Sequence, residues 1–332
     1  MARERILVTG GAGFIGSSLC ERLLDEGHEV IAFDDLTTGK EENLSHLAFR
    51  SSFTFVEGDV TSPFDFDVTQ VYNLASPASP VHYQADPVRT TMTNVLGTFH
   101  ALSLARRRSA RFLQASTSEV YGDPAEHPQT ESYHGNVNPV GIRACYDEGK
   151  RCAESLVMDF ARRHGVRAKI ARIFNTYGPR MALDDGRVVT SFIVQARSGA
   201  ELTVFGNGKQ TRSFCYVDDL VSGLVALMNH PGELGPVNLG NPEETTVLDL
   251  AHRVIAIVGG EKRIVFRPLP EDDPQRRKPD ISLARRALGF APKVSLDIGL
   301  QRTIESFRMA MAAHRRERAL GEVASLSGGT RV

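Results

Sequence analysis

The chain lacks a charge excess of either sign. Its 39 lysines and arginines against 40 aspartates and glutamates leave a formal net charge of −1 over 332 residues. Nothing in that balance points to nucleic acid or an anionic membrane as partner. Long apolar runs are missing too: the longest, around Leu220 to Met228, falls far short of the roughly 20 residues a bilayer demands. No basic-then-apolar leader opens the sequence, since Ile6 to Thr9 runs directly into a glycine cluster, so a cytoplasmic protein is expected. Cysteine is scarce, and Cys20, Cys145, Cys152 and Cys215 show no Cys-x-x-Cys spacing, as befits free thiols in a reducing compartment. Cys145 adjoins a tyrosine of interest below, but no base stands beside it in sequence to make it a nucleophile. Ten histidines are scattered without ligand spacing, and no metal site is expected. Internal repeats are absent.

What is present begins with Arg5-Ile6-Leu7-Val8-Thr9, an apolar strand that ends in Gly10-Gly11-Ala12-Gly13-Phe14-Ile15-Gly16. A helical pattern through Leu19, Leu23 and Leu24 follows and Gly27 ends it; Glu29 to Phe33 is a second strand, closed by Asp34. Strand, glycine turn, helix, strand and acid form the context of a dinucleotide site. Gly10, Gly13 and Gly16 let the backbone approach a pyrophosphate, which sits on the helix N-terminus. Asp34 is placed to accept from the adenosine ribose hydroxyls, and its charge repels a 2′-phosphate, favouring NAD over NADP.

Further strands at Phe53–Val56, Gln70–Leu74 and Arg111–Ala115 alternate with helical stretches, notably Val88–Arg107. Alternation of this kind predicts an α/β fold: a Rossmann-type, doubly wound parallel sheet. Asp59 and Val60, at the end of the third strand, are placed to reach the adenine, with a plain turn as the alternative. Ser118 and Glu119 fall just past the carboxyl end of a strand, where ligands bind in such sheets. About thirty residues on, Tyr146-Asp147-Glu148-Gly149-Lys150 puts a phenol and an ammonium one turn apart on a helix. The nearby cation is expected to lower the tyrosine pKa toward working pH and make it a base. Alone, that spacing also marks ordinary solvated helix faces. After Phe174 turns become dense and the alternation breaks down. The expected organisation is a cofactor-binding domain at 1–174, with about 215–241 returning to its sheet. A smaller α/β substrate lobe at 175–315 and a flexible tail at 316–332 complete it.

Taken together, Thr9 to Gly16, Ser76 to Pro80, Ser116 to Pro124, Gly135 to Pro139, Cys145 to Lys150, Ile173 to Met181, Asp185 to Val189, Gln210 to Phe214 and Asp272 to Ile281 resemble the extended short-chain dehydrogenase/reductases that act on nucleotide sugars. Within that group the chain is most similar to UDP-glucuronate decarboxylases, over about residues 4 to 312. The resemblance implies NAD as cofactor, UDP-glucuronate as substrate, UDP-xylose as product and a homodimer. It implies that Tyr146 is the acid/base residue, that Lys150 also holds the nicotinamide ribose, that Ser118 bonds the sugar and that Glu119 is a catalytic carboxylate. Arg277 would lie near the substrate carboxylate, while Asn175 and Arg212, with Val189 and Thr203, would hold the nucleotide part of the substrate. Thr37, Thr38 and Gly39, beside Asp35, would line the adenosine end. Phe14, Ile15, Leu74, Ser76 and Ala115 join the cofactor set, and Thr176 and Arg187 close it. Three positions depart from the pattern: Met92 replaces a frequent lysine, His100 an asparagine and His134 a tryptophan.

Three chemistries compete on this scaffold, all opening with Tyr146 deprotonating the sugar C4 hydroxyl while hydride leaves the same carbon. A 4,6-dehydratase needs an acid beside the glutamate, and Ser118 is a poor one. A 4-epimerase usually lacks the glutamate altogether. With a glucuronate, the C4 ketone makes the C6 carboxylate a β-keto acid that leaves as carbon dioxide. A variant that stops at the 4-keto pentose and releases NADH stays open, as does an NAD-sensing binding protein without catalysis.

Overall fold

The computed structural model describes residues 3–269 and 276–327. Six parallel strands, β1 (Arg5–Thr9), β2 (Glu29–Asp34), β3 (Phe53–Glu57), β4 (Gln70–Asn73), β5 (Arg111–Thr117) and β6 (Ala168–Ile173), build the central sheet. Val237–Leu239 adds a seventh beside β6. The order across the sheet is Val237–Leu239, β6, β5, β4, β1, β2, β3. The chain therefore starts mid-sheet, winds outward to β3, then returns to β4 on the other side of β1. That reversal opens a crevice at the carboxyl ends of β1 and β4.

Both faces of the sheet are covered, which is why its strands are apolar on both sides. Ile6 and Val8 point into one core with Leu19 and Leu23 of α1 (Phe14–Asp25) and Leu220 and Leu224 of the Val217–Asn229 helix. Leu7 points the other way, into a second core with Ala101, Leu104 and Val157.

The helix expected over Val88–Arg107 is broken. It runs Pro87–Met92, passes through a π turn at Thr93–Gly97, then continues as Thr98–Arg108. The wider turn sets Gly97 against Val60, where a Cβ would meet Val60 Cγ2 at 2.8 Å.

Beyond β6, short strands pair outside the central sheet. Glu244–Thr246, Thr211–Ser213 and Arg276–Arg277 form one sheet, and Leu202–Phe205 pairs with Ile264–Arg267. Register sets Arg277 beside Arg212. The last helix, Leu296–Ser327, continues past Arg315, where the sequence pattern ends it. Glu, Arg, Ala and Leu at 317–320 are good helix formers. The rest of the expected tail, 328–332, lies outside the described residues, as does Asp272 to Gln275. Among the described residues no helix is long and apolar enough to cross a membrane.

Candidate active site

One cavity of about 1440 Å³ opens along the crevice. Its cofactor end is built from the glycine turn. Gly10 adopts φ +68°, and a Cβ on Gly16 would stand 2.0 Å from Gly10 O. Larger residues there would force the turn open. Gly13 is the N-cap of α1 and contributes no side-chain cap, so the first N–H groups of the helix are left for an anion.

Asp34 is buried, and both its oxygens already serve the turn: Oδ2 accepts from Ala12 N at 3.0 Å and Oδ1 from Leu36 N at 2.9 Å. Burial pushes its carboxyl above the usual range, against these hydrogen bonds. Asp34, at the cofactor end of the cavity, thus fastens the glycine turn to β2. Gly39 is needed beside it, because a Cβ there would meet Asp34 Oδ1 at 2.8 Å.

Asp35, Thr37 and Thr38 line the same end, with Val60, Leu74 and Ser76 further along. Asp59 does not line the cavity. Its carboxylate accepts from Thr61 N at 2.8 Å and faces Arg89 at 3.6 Å, so it holds the turn after β3, the alternative the sequence left open.

At the chemical end, β5 delivers Ala115 and then Ser118 and Glu119 on a short 3-10 turn. The Ala144–His164 helix supplies Tyr146 and Lys150. Tyr146 is stacked on Tyr83, with ring centroids 5.1 Å apart and planes 5° from parallel. Lys150 Nζ lies 5.7 Å from the Tyr146 centroid and donates to Ala115 O at 2.9 Å.

The expected acidic phenol is not found in this state. Burial pushes Tyr146 up to about 12, outweighing a hydrogen bond with Thr117 and the charge of Arg187. Burial likewise pushes Lys150 down to about 8. Spacing puts the two groups on one face, but desolvation of that face disfavours both charged forms. Cys145 donates to Tyr83 O at 3.5 Å, and burial raises its thiol, so the thiol is no nucleophile.

Glu119 is half-buried between two arginines. Arg143 Nη2 donates to Oε2 at 2.6 Å, and Arg277 Nη1 donates to Oε1. Burial alone would raise its pKa, but the charges of Arg277 and Arg143 together hold it well below the usual carboxylate range. Arg277 Nη1 also reaches Ser118 Oγ at 3.3 Å, and its Nη2 donates to Gly122 O at 3.1 Å.

Arg143, Tyr83 and Asp147 were not singled out from sequence. Arg143 carries a signal in hindsight: it stands three residues before Tyr146, one helical turn away. Asp147 is buried beside the cluster, and burial, then Glu119, raise its carboxyl to about 7.

The far end of the cavity carries Asn175, Thr176, Val189, Thr203 and Arg212. Arg187, also lining it, is forked onto Asp185 at 2.5 and 2.7 Å. Apart from Asp59, every residue assigned to the site from sequence meets in this one space. Of the departures, Met92 is exposed on its helix, and the His100 ring sits 3.0 Å from Val60 O.

A glycine turn that tolerates no Cβ, an uncapped helix N-terminus and an acid at the end of β2 fit a dinucleotide. Residues 6–240 match the NAD dependent epimerase/dehydratase family, and the chain belongs to it. More particularly, it is 56% identical to UDP-glucuronic acid decarboxylase 1 of Arabidopsis thaliana over 306 residues, 92% of this chain and 70% of that protein. The protein of the same name from Xenopus tropicalis is 52% identical over 306 residues, 92% of this chain and 72% of that one. Among solved structures, UDP-glucuronic acid 4-epimerase from Bacillus cereus in complex with UDP-glucuronic acid and NAD superposes with a TM-score of 0.82. It is 28% identical, with 92% of this chain and 99% of that chain covered.

Proposed function

We propose that this protein converts UDP-glucuronate to UDP-xylose, with NAD held and recycled. The observation that carries the reading is Glu119, kept ionised between Arg143 and Arg277 beside Ser118 and Tyr146. A carboxylate held this low does not protonate a leaving hydroxyl, and Ser118 is no substitute, which argues against 4,6-dehydration. Two arginines to one carboxylate leave a positive surplus that suits an acidic sugar. The Bacillus cereus relative is an epimerase of the same acidic nucleotide sugar by its title, so the sugar's charge alone does not separate the reactions. Glu119 does, since epimerases usually lack a carboxylate there.

NAD, when bound, would supply the acceptor and then the donor of the C4 hydride. Tyr146 receives the C4 hydroxyl proton, and the resulting ketone lets the neighbouring carboxylate leave. The enolate oxygen then lies beside Tyr146 and Lys150, where preorganised stabilisation of such an oxyanion contributes several kcal/mol, and a proton taken up at C5 replaces the lost carboxylate before C4 is reduced again. Gly10, Gly13 and Gly16 with Phe14 and Ile15 would seat the pyrophosphate, while Asn175 and Arg212 would hold the diphosphate of the substrate.

The lobes divide this work: 1–174 with about 215–241 for the cofactor, and 175–315 for the nucleotide sugar. Homodimer formation completes the reading, supported by Val88, Met92, Leu96 and Phe99, large apolar side chains left exposed along neighbouring helices. Free, buried Cys20 and Cys215 support a reducing, cytoplasmic setting.

The test is incubation of the enzyme with UDP-glucuronate and NAD. Carbon dioxide without net NADH is expected. Steady NADH accumulation would instead make the 4-keto pentose the end product, and no carbon dioxide would refute decarboxylation.

A further inference from the structure

Arg143 and Arg277 share Glu119 in an unusual way. Each takes a single oxygen, so neither is forked onto the carboxylate, although a fork is the stronger geometry. They also arrive from different parts of the fold. Arg277 comes from the edge strand of the smaller lobe, its side chain 4% exposed. Arg143 is the N-cap residue of the Ala144–His164 helix, its side chain 16% exposed, and it lines the cavity with Ile142.

Resting on the decarboxylase reading, we infer that Arg143 is a positioning and specificity residue for the acidic sugar: it draws Glu119 away from a bidentate pair with Arg277 and so preserves the positive surplus that a hexuronate requires. Removing Arg143 has two consequences. Glu119 is then free to place both oxygens on Arg277, cancelling its charge. The sugar end of the cavity also falls from two arginines per carboxylate to one, and an incoming carboxylate finds no net attraction. A neutral hexose nucleotide loses nothing by the change.

Glu119 is faced by Arg143, Tyr146 and Asp147 from the Ala144–His164 helix and its cap, and by Tyr83 from Pro80–Ala85. Arg187 faces it from ahead of Val188–Ser198, and Arg277 from its strand. Among these only Asp147 titrates near neutrality alongside it, and it must be controlled for.

The experiment compares wild type with R143Q and R143K, measuring kcat and KM for UDP-glucuronate across pH, and the inhibition constants of UDP-glucuronate and UDP-glucose analogues. For R143Q, kcat/KM should fall about 10- to 100-fold, the loss of a hydrogen bond between charged groups. Most of it should appear in KM, and the preference for the acidic over the neutral sugar should disappear. The acid limb of kcat/KM should move up by about one to three pH units, since one of the two charges holding Glu119 ionised is gone. That displacement should persist in R143Q/D147N, which assigns it to Glu119. R143K keeps a charge on a shorter reach and should fall between wild type and R143Q on both readouts.

If R143Q does not fold, R143K decides: a reduced acidic-sugar preference is expected, and an unchanged one overturns the inference. Wild type that releases no carbon dioxide from UDP-glucuronate removes the reading beneath it. Active wild type with an R143Q of unchanged acid limb and unchanged sugar preference overturns the role of Arg143 alone.

Discussion

Replacing Lys150 by Met should make the cofactor-free protein more stable while ending its turnover. Lys150 is 3% exposed. Burial, opposed by the charge of Glu154, moves its pKa from 10.5 to about 8. At about 1.36 kcal/mol per pH unit, the fold bears about 3 kcal/mol against the ammonium at neutral pH. Met fills a similar volume without charge. It leaves Ala115 O without the charged donor it has at 2.9 Å, a loss of about 2 kcal/mol. The net gain is about 1 kcal/mol.

The sign of the pH dependence follows from the two titrations. Below about pH 8 folded and unfolded chains both carry the proton, and the penalty is full. Between 8 and 10.5 only the unfolded chain holds it, so wild-type stability climbs with pH through that window. Guanidinium unfolding of both proteins, stripped of cofactor, at about pH 7 and about pH 9 reads this directly. K150M should lead at the lower pH and lose most of its lead at the higher. A K150M less stable than wild type at neutral pH, or a gap that ignores pH, would refute the reasoning.

Tyr146→Phe should keep the ring stack on Tyr83 and NAD binding, while carbon dioxide release falls about 10²- to 10⁴-fold; retained turnover would remove Tyr146 from the chemistry. Gly16→Ala places a Cβ 2.0 Å from Gly10 O, so calorimetry should find NAD affinity largely gone. Arg172 forks onto Glu154 at 3.0 and 2.8 Å in a mostly buried pair that also accepts from Ser116 Oγ at 2.6 Å. R172M should cost about 3–5 kcal/mol by denaturant unfolding, and R172M/E154L should recover most of it. Phe99→Asp on the exposed helix face should convert a dimer to monomer in sedimentation, with the site itself intact.

What could be read from sequence was whatever chemistry is local. The glycine turn, Asp34 and the Tyr146–Lys150 spacing each lie within one or two elements, and their geometry follows from a helix pitch or a strand end. The place of Arg277 near the substrate carboxylate was read only through resemblance. Arg277 reaches Glu119 because its strand pairs with Thr211–Ser213, a contact no periodicity announces. For Asp59 the sequence left adenine contact and a turn role open, because an Asx-type bond such as that to Thr61 N is a local alternative that any aspartate at a strand end can take.

The phenol is the most instructive case. Spacing fixes that Tyr146 and Lys150 share a face, yet the sign of the pKa change depends on what that face is buried against. With Tyr83 stacked over one residue and the β5 backbone bound to the other, desolvation outweighs the Thr117 hydrogen bond and the Arg187 and Glu154 charges that favour the ionised forms. At rest the phenol is therefore neutral, and Lys150 keeps its charge at neutral pH by only about one pH unit. Arg143 and Arg277 both bind Glu119. A common Tyr–Lys pair can begin several reactions; in the function proposed above, the arrangement that discriminates among them is this arginine–carboxylate–arginine bridge, whose charge survives burial because each member compensates another.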